Sequence, residues 1–156
     1  MSYATGNHHD GTKPYAILRS RFERDLTAAV DPAAPWPERV VAAIRAALRS
    51  ADADPPAAHR LTLPVAGRRS DDLASFTAMV DDLAAKLCRD APAVPSPERT
   101  ARNLVLRVAR QVLLHLETQP EEPVTAIAPD LIVFALTPYV GLVAARRLAD
   151  RPDEIS

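Results

Sequence analysis

An all-α domain of about seven helices is what this sequence predicts, and three observations predict it. Apolar residues recur at steps of three and four in one segment after another, the spacing that places them on one face of a helix. There are 15 prolines and only 4 glycines, and alanine fills many of the apolar positions. Alanine favours helix, and each proline can open or end one. Alternating β-branched stretches, the mark of a half-buried strand, are almost absent.

The elements follow in order. Residues 1–13 hold few apolar anchors and read as a loose arm. A first helix is expected from about Pro14 to Ala29, with Tyr15, Leu18, Phe22 and Leu26 on its apolar stripe, and Asp31-Pro32 stops it. Pro35-Trp36-Pro37-Glu38 opens a second, to about Ser50, with Val40, Val41, Ile44 and Leu48 inward. Proline suits the first turn because the N–H it lacks would be unbonded there. Asp54 before Pro55 and Pro56 repeats the signal for a short third helix, ended by Pro64 and Gly67. Ser70 is a candidate N-cap for the fourth, and Asp71 and Asp72 suit its positive dipole end. Leu73, Phe76, Val80, Leu83 and Leu87 share one face of that helix.

Three prolines between Ala91 and Pro97 make a stiff connector. Ser96-Pro97-Glu98 opens a fifth helix to about Glu117, apolar over more than one stripe through Leu104, Val105, Val108, Val112, Leu113 and Leu116, so it needs partners on two sides. A sixth runs to Leu136 through Ile127, Leu131, Ile132 and Phe134, with Pro129 as a kink or as its true start. Pro138-Tyr139-Val140-Gly141 reads as a corner, Leu142 to Asp150 as a last short helix, and residues 151–156 as a frayed tail.

The bulk numbers bound the function. A length of 156 residues fits one domain, here residues 14–150, with a single packed core. A net charge of -1 argues against a large sequence-independent affinity for nucleic acid. One cysteine, Cys88, excludes an internal disulfide and fits a reducing cytoplasm. Residues 1–10 lack the apolar core of a signal peptide, and no apolar run has the length of a membrane span, so a cytoplasmic protein is expected.

The helix order, the proline-tryptophan entry and the Ala128-Pro129-Asp130-Leu131…Thr137-Pro138-Tyr139-Val140-Gly141 ending resemble the C-terminal domains of TetR-family regulators over about residues 14–150. Those are ligand-sensing, dimer-forming domains of bacterial repressors. A second likeness lies upstream. The family's recognition helix ends in a Tyr-x-His-Phe-x-Ser/Thr-Lys-x-x-Leu stretch, which His9, Thr12 and Lys13 match, while Asn7, Asp10 and Ala16 replace its Tyr, Phe and Leu. Six residues precede Asn7, too few for the helices that hold a recognition helix in a major groove, so no sequence-specific DNA binding is expected of this chain alone. His9 and Lys13 match phosphate-contacting positions, but on a loose arm they read as surface residues.

The resemblance implies a homodimer through a four-helix bundle of the fifth and sixth helices, with Leu104, Val108, Val112, Leu116, Leu131 and Phe134 at the interface. It also implies a small, mostly apolar effector. The residues allow a pocket around the middle of the fourth helix, lined by Phe76, Met79, Val80 and Leu83, with Leu63 closing one end and His59 or Thr62 supplying a polar contact. Met79 suits such a wall because its thioether adapts to varied shapes. His8, His9 and Asp10 lack the fixed geometry of a metal site, and His115 reads as a partly buried core histidine. There is no phosphate loop, nucleophile motif or Glu-x-x-His pair, so neither an enzyme nor a cofactor is expected. The rival reading is a helical interaction protein with a filled core and no ligand.

Overall fold

A computed structural model describes residues 14–67 and 71–153. Among them are seven α-helices, two 3-10 turns and no strand: α1 (Tyr15–Ala29), α2 (Trp36–Ala53), α3 (Pro55–Thr62), α4 (Leu73–Cys88), α5 (Pro97–Thr118), α6 (Ala128–Val140) and α7 (Leu142–Asp150). The 3-10 turns, Leu63–Ala66 and Val124–Ile127, follow α3 and precede α6. His9, Lys13 and the expected Ser70 cap lie outside the described residues.

Prolines stand in the first turn of α2, α3, α5 and α6, as their missing N–H allows. Pro129 therefore marks the true start of α6. Asp54 closes α2 and caps α3, its carboxylate accepting from the Ala57 N–H at 3.2 Å. Gly67, at φ 79, ends the turn after α3. Asp72 sits at the start of α4 but does not cap it with its side chain; its carboxylate takes Arg60 Nε at 2.8 Å and so ties α4 to α3.

One boundary differs from the expectation. Pro138 is not a corner: α6 runs through it to Val140, and the chain turns at Gly141, φ 86. The reason is tertiary. Ala135 and Leu136 are buried just before the proline, and the Tyr139 ring just after it packs against Trp36 at 4.6 Å, so both sides of Pro138 are held in helical register. Only one backbone hydrogen bond, in the last turn, is lost to the missing N–H.

The helices build two hydrophobic clusters. The larger joins α2, α5, α6 and α7 around Leu48, Leu131, Ile132, Ala135, Leu136 and Ala145. The Asp52 carboxylate anchors it, accepting from the Val124 and Thr125 N–H groups at 2.6 and 3.2 Å and pinning the start of α6 to the end of α2. The smaller joins α1, α3 and α4 around Tyr15, Leu18, Leu61, Phe76, Met79 and Val80. Tyr15 Oη donates to the Leu61 carbonyl at 2.7 Å, and Arg19 pairs with Asp82, so α1 is tied to both α3 and α4. Helix α5 serves both clusters, with Leu104 and Val112 in one and Val105 and Ala109 against the other.

Candidate functional site

A cavity of about 960 Å³ separates the two clusters. That volume lies at the upper end of the range for small-molecule sites. It exists because of what faces it. The inward row of α2 includes Ala43, Ala47 and Ala51, whose methyl groups do not reach across the bundle. On the opposite side α4 rests mainly on α5 and barely on α1, so it is not drawn down onto α2. Larger side chains complete the wall: Leu18 and Phe22 from α1, Trp36, Val40 and Ile44 from α2, Phe76 and Met79 from α4, Leu104 and Val108 from α5.

The polar groups on the lining gather at its ends. Arg39, Lys86 and Arg89 stand where the start of α2 meets the end of α4, a junction fixed by the Trp36 indole N–H donating to the Leu87 carbonyl at 2.9 Å. Arg39 reaches Asp90 at 3.4 Å through a terminal nitrogen, while its buried Nε has no hydrogen-bond partner among the described residues. Further along α2, Asp25 of α1 accepts from Ser50 at 3.3 Å, and Asp54 lies at the far end.

The structure brings five of the expected pocket residues to this cavity: Thr62, Phe76, Met79, Val80 and Leu83. Two do not line it. His59 lies on the outer side of α3, 40% exposed along its side chain and 3.1 Å from Glu117, and Leu63 opens the 3-10 turn beyond the wall. The Thr62 hydroxyl donates to the Ala58 carbonyl at 2.8 Å, within its own helix. His115 is buried and bonds the Glu122 carbonyl through Nε2 at 2.8 Å, fastening the loop between α5 and α6.

Of the residues expected at a dimer interface, Leu104, Val108 and Val112 line the cavity, and Leu131 is buried within the larger cluster with Leu116 packed against it. The second apolar stripe of α5 thus has a partner inside the chain. Phe134 is 40% exposed, with the Arg107 guanidinium over its ring at 4.5 Å, and Leu114, two turns along α5 from Arg107, is 51% exposed.

Sequence reasoning placed the fourth-helix wall and missed the α1 wall and the cationic end. The available signal was Arg39 heading a row with Ala43 and Ala47 beside the Val40–Ile44–Leu48 stripe. Among the described residues no group of three or more His, Cys, Asp or Glu could hold a metal ion, and no helix is long and apolar enough to cross a membrane. Comparison of the chain with protein-family models, curated proteins and solved structures gave no match.

Proposed function

We propose that this chain is a helical binding module for a small, mostly apolar ligand, the sensing half of a TetR-like regulator. The observation that carries the reading is the cavity itself, large, mainly apolar and placed between two clusters joined by α5. A ligand there touches α1, α3 and α4 on one side and α2 and α5 on the other. It therefore favours one arrangement of the two clusters over others, which is the requirement for shifting a conformational balance. Helix α1, the first of the described helices, belongs to the smaller cluster and would carry that shift toward a DNA-binding head. Couplings of this kind typically amount to roughly 1–3 kcal/mol. The same cavity weighs against an interaction protein with a filled core.

The second part of the proposal is self-association in the cytoplasm through the outer face of α5 and α6, where Phe134 and Leu114 are exposed. A two-fold contact would set each patch against its copy. Light scattering of the purified chain at micromolar concentration is expected to report a dimer.

Binding is tested with an apolar fluorophore, 1-anilinonaphthalene-8-sulfonate, and by thermal unfolding against a library of apolar compounds. One saturable site per chain and a melting temperature rising with ligand concentration are expected, because a ligand of the native state stabilises it by RT ln(1 + [L]/Kd). Met79→Trp, which places an indole in the cavity, should remove both effects and leave the helical fold intact. Absence of any saturable binding overturns the reading.

A further inference from the structure

The cavity is elongated and carries charge of one sign at one end. Its lining follows α2 from Trp36 to Ala53, a run of 17 residue steps that spans about 25 Å at 1.5 Å per residue. Arg39, Lys86 and Arg89 stand at the Trp36 end. The acidic groups on the lining lie elsewhere and are engaged. Asp25 is bonded to Ser50, 11 residues or about 16 Å along α2 from Arg39, Glu23 is paired with Arg19 at 3.1 Å, and Asp54 caps α3. The carboxylate that Arg39 contacts is Asp90, whose side chain is 72% exposed and sits at 3.4 Å, a weak and hydrated contact. Lys86 and Arg89 are exposed at the rim and form no ion pair among the described residues. Arg39 itself is half-buried, with its buried Nε–H unused. A buried N–H without a partner is costly, and a carboxylate offers a planar pair of acceptors for the Nε and terminal N–H groups of one guanidinium.

From this we infer that the ligand is an elongated amphiphilic acid, with its carboxylate on Arg39, flanked by Lys86 and Arg89, and its apolar body along α2 toward Asp54. The inference rests on the reading of the cavity as a ligand site and names the ligand's class. The apolar body meets Val40, Ile44 and Met79, and the rim cations draw the anion in and leave it accessible to water.

The test uses the full chain with dodecanoate, methyl dodecanoate and dodecanol, each displacing an apolar fluorophore from the cavity. Dodecanoate should bind at least about tenfold more tightly than the ester or the alcohol, as expected for a hydrogen bond to a charged group. Arg39→Met should remove that preference, weakening acid binding by about tenfold more than ester binding. Arg39→Lys should retain part of it, because the charge remains while the paired geometry is lost. Lys86→Met and Arg89→Met should weaken acid binding less, with an effect that fades as salt rises. Met79→Trp should block acid and ester alike, placing both in the cavity. Equal affinity of wild type for acid and ester overturns the inference. So does an Arg39→Met variant that weakens acid and ester by the same factor with its melting temperature kept, since the arginine would then act on the wall rather than on the anion. If the fluorophore binds and none of the three amphiphiles displaces it, the acid falls while the ligand site stands. If nothing binds, both fall.

Discussion

The larger hydrophobic cluster holds 17 buried residues and the smaller one 7, a difference that sets how each half of the molecule can be used. In the larger, Leu48, Ile132 and Leu136 have no exposed surface, and the α6–α7 hairpin closes over α2. In the smaller, Val80 alone reaches that depth, and Phe76, Met79 and Leu83 stand against the cavity. Stability is therefore concentrated in α2, α5, α6 and α7, and adaptability in α1, α3 and α4. The wall built from fewer buried side chains is the wall that can move when something fills the gap.

The largest expected effect contrasts one truncation in each region. Leu136→Ala removes a fully enclosed side chain and should cost about 2–5 kcal/mol in urea unfolding. Leu83→Ala, on the cavity wall, should cost clearly less, since much of the surface it loses already faced open space. Equal costs would break the contrast.

A smaller effect comes from Tyr15, whose hydroxyl joins α1 to α3. Burial, aided by the nearby Asp72 carboxylate, pushes its phenol well above the ordinary tyrosine value. The neutral form is thus favoured in the folded state. Its stabilisation is complete below the unfolded tyrosine value of about 10 and is lost progressively as pH rises above it. Tyr15→Phe should lower stability at pH 8 by about 1–3 kcal/mol, because the Leu61 carbonyl loses its donor. The variant should also show a flatter decline between pH 9 and 11, where Tm measurements on both proteins separate the two slopes.

The smallest effect is the most pointed. Met79→Trp should change stability by less than about 1 kcal/mol, whereas overpacking a filled core site typically costs roughly 1–3 kcal/mol. The same substitution at Ile132 supplies the comparison, and denaturant midpoints for the two variants decide it.

Much of the fold was legible in the sequence because its boundaries are written in residues with local consequences. Asp54-Pro55, Ser96-Pro97 and Pro129 mark helix starts through the proline ring, and the three- and four-residue periodicity of α4 exposed its buried face. Pro138 misled for the opposite reason: local chemistry argues for a break there, while packing of Leu136 and Tyr139 on either side overrides it. The candidate site was legible along α4 and at Thr62 of α3. The contributions of α1 and α2 depend on how far apart helices stand, and spacing within one helix does not encode distance to another. The double stripe of α5 was visible, but the sequence does not distinguish a second face turned to a partner chain from one turned to a cavity within the same chain.

The prolines that open α2, α3, α5 and α6 have a consequence for the unfolded chain. Each ring fixes one backbone angle before any tertiary contact exists, so the denatured ensemble has fewer conformations to surrender on folding. A proline at a compatible position contributes about 0.4–1 kcal/mol in this way, and the five in these first turns together roughly 2–5 kcal/mol. Three of those four helices wall the cavity. The contacts missing from the middle of the molecule are thus offset in part by a restriction on its disordered state, where a survey of native contacts does not reach.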